Sequence, residues 1–195
     1  MTTPVKPPDY LYHATHLGKI DDIVASERLT LGGQSQFSGG YDFHTRNRVF
    51  FTEYDGLRFW MNRMDLLGQH NSDYDSEDEA IYWTPVALRI MADGVYDSGV
   101  DFYPDDLGTK DAGGNDAYYA DKPIEIDWIE IWDGKGWVEL IDADTERMGR
   151  RVIAAAEWEA DDQYDSDEGE DDGEREDDPK GYWMIDSDLF RPDHP

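Results

Sequence analysis

The chain has 195 residues, with 46 Asp and Glu against 17 Lys and Arg, no cysteine, and a formal net charge of -29 at pH 7. The charge argues against duplex DNA or RNA as a ligand, because nucleic-acid affinity comes mostly from Lys and Arg that release counterions. Without cysteine there is no disulfide, thiolate metal site or cysteine nucleophile, and no apolar run approaches the roughly 18 residues of a membrane span.

Residues 1–9 are predicted to form an extended arm, because they contain three prolines. They lack the apolar region of a secretory signal, so we expect a cytoplasmic protein. A strand is predicted over residues 11–15, and apolar residues recur at helical spacing from Leu17. His13 lies near the end of this strand, where ligand sites are often built on a rigid element.

A glycine-bracketed loop at residues 34–38 suits a lid over such a site. A second strand is predicted at 48–52, with Val49 and Phe51 on one face and Phe50 and Thr52 on the other. Thr52 and Asp55 have the spacing of a helix N-terminal cap. The helix that follows carries an apolar stripe at helical spacing, formed by Leu57, Trp60, Met61, Met64 and Leu67.

The middle of the chain is predicted to alternate between loops and one strand. Residues 68–80 have the composition of a solvated acidic insertion, and 81–91 are expected to form a strand with Pro85 near a sheet edge. A turn and a short extended piece ending in Asp97 are expected next. A long loop at 98–116 is then expected to border the cleft.

Residues 124–132 give a clear strand pattern whose apolar parity slips between Trp128 and Ile129, which predicts a bulge. Asp133 and Gly134 predict a hairpin turn into a last strand at 137–141. These elements indicate an α+β domain at 10–142. A helix at 143–160 and a disordered acidic tail at 161–195, with a short apolar cluster, are expected beyond it.

Four motifs, in this order along the chain, together resemble the ADP-ribosyltransferases, and look most like the small bacterial enzymes that ADP-ribosylate rifamycin antibiotics. They lie at residues 11–15, 34–40, 47–60 and 117–124. The resemblance implies a split, mostly antiparallel β-sheet with few short helices, which holds NAD as co-substrate in a cleft. It also implies mono-ADP-ribosyl transfer from NAD to an unidentified acceptor, a small molecule or a protein, with nicotinamide release. The charge of the chain would suit a basic protein as that acceptor.

By position, the resemblance implies that His13 binds the adenosine ribose, that the ring of Phe50 stacks on nicotinamide and that Asp97 is the catalytic acid. A carboxylate is needed because cleavage of the glycosidic bond builds positive charge on the ribose carbon. The neighbours of the co-substrate are expected to be His13, Ala14, Thr15, Gln36, Phe37, Arg46, Phe50 and Phe51.

Several alternatives stay open. The family position at Phe50 is commonly tyrosine, so a hydroxyl is missing here. The carboxylates that could replace Asp97 are Asp93, Asp101, Asp116 and Glu125. Arg46 and Arg48 are candidates for binding the NAD phosphates, and Tyr118 and Tyr119 for lining the acceptor side or for packing.

No metal site is expected, because His13 and His16 have no third ligand in view. A protein of a different class fits the same charge: an inactive, acidic binding protein or DNA mimic that engages a basic partner.

Overall fold

The structure is a computed structural model that describes residues 3–32, 47–71 and 77–150. Within these ranges the strands are β1 (Tyr10–His16), β2 (Arg28–Leu29), β3 (Val49–Thr52), β4 (Pro85–Met91), β5 (Phe102–Pro104), β6 (Ala117–Ala120), β7 (Ile124–Glu125), β8 (Ile129–Trp132) and β9 (Trp137–Glu139). The α-helices are α1 (Ile20–Ser26), α2 (Tyr54–Asn71), α3 (Glu77–Trp83), α4 (Ala92–Asp97), α5 (Asp106–Asp111) and α6 (145–150). Short 3₁₀ turns occupy Leu17–Lys19, Ile126–Trp128 and Leu140–Asp142.

Seven strands form one sheet in the order β5-β6-β3-β1-β4-β8-β9, and β2 pairs with β7 in a second, two-stranded sheet. Every recorded strand pair is antiparallel. Mixed helices beside a mostly antiparallel sheet confirm the predicted α+β class.

The large sheet is joined only narrowly between β1 and β3. Strand β1 pairs with β4 along its whole length, from Tyr10 opposite Met91 to His16 opposite Pro85. With β3, by contrast, the register consists of the single pair Tyr12 and Thr52. The sheet therefore has two halves, β5-β6-β3 and β1-β4-β8-β9, that part beyond one bridge.

The two faces of the sheet pack against different elements. The front face, defined here by Leu11, Phe51 and Leu88, is buried against α1 and α4 in the larger core. The back face, defined by Tyr12 and Ala87, packs against Leu57 and Met61 of α2 in a smaller core. Alternating side chains of β1 thus enter both cores, as the period of a strand requires. This confirms the predicted stripe on α2 at those two helix positions.

Several local predictions were wrong where a short apolar run was ambiguous. Residues 77–83, assigned to the end of an acidic loop and the start of a strand, form α3. Pro85 begins a central strand and not an edge strand. It is tolerated there because the first residue of a strand can do without its amide proton, and the recorded pairs of β4 with β8 begin only at Leu88.

Two further segments differ from expectation. The loop expected at 98–116 contains β5 and α5, and β5 extends the sheet beside β6. The parity slip at Trp128 comes from the 3₁₀ turn Ile126–Trp128 and not from a bulge. The expected strand at 124–132 is therefore two strands that belong to different sheets.

The predicted cap at Thr52 was also wrong. Its buried hydroxyl donates to the Asp116 carbonyl oxygen at 3.2 Å and so ties the end of β3 to the segment that leads into β6. The arm at the start of the chain is docked, since the Val5 amide donates to the Phe102 carbonyl at 2.8 Å. Val5 thereby covers part of the exposed edge of β5.

The hairpin predicted at Asp133 and Gly134 is confirmed, and it joins β8 to β9. The lid at 34–38, the helix beyond residue 150 and the acidic tail lie outside the described residues. In the ranges that the structure describes, no helix is long and apolar enough to cross a membrane.

Candidate functional site

His13 lies at the place where the two halves of the sheet part. Its Nδ1 is 2.8 Å from the carbonyl oxygen of Phe50 on β3. A carbonyl oxygen only accepts, so Nδ1 carries the proton and donates. This side-chain hydrogen bond crosses the gap next to the single main-chain pair of Tyr12 with Thr52. His13 therefore links the two halves of the sheet.

The electrostatics of this imidazole favour its neutral form. Desolvation lowers the pKa of His13, and the hydrogen bond to the Phe50 carbonyl opposes that shift only in part. With the proton on Nδ1, neutral Nε2 presents a lone pair. The side chain is only partly buried. A hydroxyl group that reached this position could donate a hydrogen bond to Nε2.

Among the residues that the structure describes, the ring in contact with the imidazole is that of Phe51 and not that of Phe50. Phe51 lies on the front face with His13, and their ring centroids are 6.0 Å apart. The Phe51 ring is only 3% exposed and packs edge-on against Phe102 in the core. It therefore has little surface left for stacking on a ligand.

Phe50 meets His13 through its main chain, while its ring lies on the back face of the sheet. There its ring centroid is 6.2 Å from that of Tyr119 on β6. Tyr119 in turn stacks on Tyr103 of β5, with 5.1 Å between centroids and 17° between planes. The expected pairing of the Phe50 ring with the imidazole across one cleft is not what the described residues show.

Arg48 lies beside this row of rings. Its guanidinium carbon is 4.0 Å from the centroid of Tyr119, at cation–π distance. The pKa of the Asp105 carboxyl is raised by burial. Hydrogen bonds from two backbone amides and the nearby charge of Arg48 oppose this shift only in part. Arg48, proposed for the NAD phosphates, thus lies on the face opposite to the His13 imidazole.

A carboxylate and a phenol meet on the front face. The hydroxyl of Tyr118 donates to Glu53 Oε1 at 2.9 Å. Tyr118 lies directly across from Phe51 in the β3–β6 register, and both partners are partly buried. Burial, with the Glu53 carboxylate as the next cause, raises the pKa of Tyr118 far above its ordinary value. The phenol therefore stays protonated and keeps its donor.

Asp97, the expected catalytic acid, is the last residue of helix α4 and is exposed, so the extended piece predicted there was wrong. Gly94 lets this helix lie close to Trp128, whose ring would be 2.5 Å from a Cβ at that position. Ala92 donates to the Asp9 carbonyl, so α4 begins beside the first residues of β1 and not beside His13.

Among the remaining expected neighbours of a co-substrate, Ala14 and Thr15 continue β1 past His13 and are partly buried. Gln36, Phe37 and Arg46 lie outside the described residues. His16 has a structural environment: it is 2% exposed, and its Nε2 donates to the Met64 carbonyl at 3.0 Å.

In the part of the chain that the structure describes, no three His, Cys, Asp or Glu side chains are grouped so that they could hold a metal ion. Comparison of the chain with models of protein families, and with curated proteins, gives no match in either case. The geometry therefore has to carry the functional argument. The Glu53–Tyr118 contact was missed at the level of sequence, because it depends on the register of two strands far apart along the chain.

Proposed function

We propose that the protein is an NAD-dependent mono-ADP-ribosyltransferase that transfers ADP-ribose to an acceptor, a small molecule or a basic protein, and releases nicotinamide. The proposal rests first on the order of the four motifs along the chain. The structural observation that supports it most is the environment of His13. That imidazole has a fixed tautomer and lies at the parting of the sheet.

The role that this geometry suits is recognition of a ribose. A ribose hydroxyl is a good donor, and the neutral imidazole offers an acceptor at Nε2 whose direction is set by the bond from Nδ1 to Phe50. Because the pKa of His13 is lowered by burial, the acceptor form persists at neutral pH. In this proposal the ribose is therefore bound by a histidine in its neutral form.

A binding experiment on the full chain tests this role. We expect millimolar NAD to raise the melting temperature of the wild type and to have little effect on the His13→Ala variant. His16→Gln is the matched control. It changes the other histidine of β1, keeps a donor for Met64, and should retain the NAD-induced shift even if its own melting temperature falls.

A direct assay of nicotinamide release from NAD, with and without cell lysate as a source of acceptor, tests the chemistry. Release that depends on His13 would support the proposal. No thermal shift and no release by the wild type at millimolar NAD would refute it.

One observation favours the second class of function. Since the Phe50 ring lies on the face opposite to His13, a ring that stacks on nicotinamide is not supplied by that residue in this arrangement. An inactive scaffold with a net charge of -29 would be suited to a basic protein partner. In that case we expect binding to a basic protein that weakens as salt increases, and no release of nicotinamide.

A further inference from the structure

The geometry points to Glu53 as the catalytic carboxylate of the ADP-ribosyl transfer, with Tyr118 as the residue that positions it. This inference rests on the proposed function and names the acid that the function requires. Asp97 had been expected in this role, but it is the exposed last residue of a helix whose first residue is bonded near the start of β1.

The first argument is that Glu53 and His13 use the same face of the sheet. Tyr118 lies across from Phe51 in register, and Phe51 is the ring beside the His13 imidazole. Because Glu53 Oε1 accepts from the Tyr118 hydroxyl, its carboxylate is on that front face as well. Glu53 is two positions after Phe51, and in an extended chain this places their Cα atoms roughly 7 Å apart.

The second argument is that Glu53 follows β3 directly, so its backbone is held by the sheet. Its amide donates to the Asp116 carbonyl at 3.0 Å. The Tyr118 hydroxyl then fixes one carboxylate oxygen at 2.9 Å. A carboxylate fixed at both ends of its side chain is preorganised, which is what stabilisation of a developing charge requires.

The chemistry suits this carboxylate. In the transfer, the bond between the ribose anomeric carbon and the nicotinamide nitrogen breaks, and its electron pair leaves with neutral nicotinamide. The acceptor oxygen forms the new bond to that carbon and loses its proton. The Glu53 carboxylate stabilises the positive charge on the ribose as it develops, and it takes the proton before passing it to solvent.

Glu53 also precedes helix α2, where a carboxylate would stabilise the helix N-terminus without any catalytic role. The two roles predict different measurements. Loss of a helix cap lowers thermal stability and leaves turnover unchanged per folded molecule. Loss of a catalytic carboxylate lowers the turnover and leaves NAD binding in place.

The test compares the full-length wild type with Glu53→Gln, which keeps the size of the side chain and an acceptor for Tyr118. We expect the kcat of nicotinamide release to fall by about 100-fold or more, while the NAD-induced thermal shift is retained. Glu139→Gln is the matched control, an exposed glutamate on β9, and should have the activity of the wild type.

The positioning role of Tyr118 has its own readout. Tyr118→Phe keeps the ring and removes the donor, so kcat should fall several-fold at unchanged KM. A residue that served packing alone would leave the kcat of the folded protein unchanged.

Three results would overturn the inference. In the first, Asp97→Asn abolishes release while Glu53→Gln is active, and the proposed function stands with another acid. In the second, Glu53→Gln loses the NAD-induced shift together with turnover, which assigns Glu53 to binding or folding. If Glu53→Gln does not fold, Glu53→Ala replaces it, and the third result is wild-type kcat in that variant, which has no carboxylate at this position. A wild type that neither binds NAD nor releases nicotinamide refutes the proposed function itself, and the inference with it.

Discussion

The ion pair between Arg89 and Glu130 provides a quantitative test of how the β1-β4-β8-β9 half of the sheet is held together. Arg89 Nη2 and Nε lie 2.6 and 2.7 Å from Glu130 Oε2, across the β4–β8 pairing. The Arg89 guanidinium also lies between the rings of Tyr10 and Trp137, at 4.6 and 4.7 Å from their centroids. Removal of Glu130 would leave this cation without its counter-charge.

The magnitude follows from the exposure of the two side chains, 12% for Arg89 and 22% for Glu130. Exposed pairs contribute about 0–1 kcal/mol, and breaking a fully buried pair costs about 3–5 kcal/mol. For this mostly buried pair we expect Glu130→Gln to lower the free energy of unfolding by about 2 kcal/mol. This loss is smaller than that for a fully buried pair because both side chains keep some contact with solvent.

The measurement is a double-mutant cycle that combines Glu130→Gln with Arg89→Met. Urea denaturation at low and high salt gives the free energy of unfolding of each variant. We expect a coupling energy of about 1–2 kcal/mol that changes little with salt, because buried charges are weakly screened. The pair of Lys19 with Asp22, whose side chains are 40% and 79% exposed, is the control. It should give about 0.3 kcal/mol. If both pairs gave equal coupling, the argument from burial would be wrong.

Two further predictions concern stability. Burial lowers the pKa of His16, so the unfolded chain binds a proton more readily than the folded one, and stability should fall as pH drops below about 6.5. Thermal melts between pH 7.5 and 5.5 should show a smaller loss for His16→Gln than for the wild type, whereas equal losses would exclude this histidine as a source. Gly94→Ala should cost about 1–3 kcal/mol in urea denaturation, because its Cβ would lie 2.5 Å from the Trp128 ring. Gly136→Ala, with nothing within 4 Å of its Cβ, should be close to neutral, and a similar loss at both glycines would contradict the packing argument.

The elements that could be predicted are those whose cause is local. The turn at Asp133 is one: its Oδ1 accepts from the amides of Lys135 and Gly136, and Gly134 has the left-handed backbone, φ 87°, that glycine permits. The alternation of β3 is another, since Val49 and Phe51 are both buried on one face. In each case a few adjacent residues contain the whole physical reason.

The secondary structure of other segments could not be predicted from neighbouring residues, because tertiary contacts determine it. The run that ends in Tyr82 and Trp83 has strand-forming residues, yet it forms a helix. The ring of Trp83 there packs edge-on against buried His16, and the Thr84 carbonyl accepts from the Leu17 amide. The 3₁₀ turn Ile126–Trp128 is similar, because it passes the chain from one sheet to the other. The residue pattern of neither segment indicates which element that segment will pack against.

The same distinction explains the outcome at the candidate site. His13 could be selected as a candidate site residue from its own strand, but the identity of its neighbours could not, because they depend on the pairing of Tyr12 with Thr52. A strand has a period of two, so a shift of that pairing by one residue would place Phe50 beside the imidazole in place of Phe51. Register likewise brings Tyr118 to the face where Glu53 accepts its hydroxyl.

The position of His13 gives its side chain two tasks. Its Nδ1 replaces a main-chain bond across the parting of β1 and β3, where only one residue pair is in register. Its Nε2 is the acceptor that we assign to a ribose. Because one ring performs both tasks, a ligand bound at Nε2 would be coupled to the separation of the two halves. The tautomer that makes Nε2 an acceptor is favoured while β3 is close enough for the Phe50 carbonyl to accept the hydrogen bond from Nδ1. Binding of a ribose and closure of the sheet at this point should therefore favour each other.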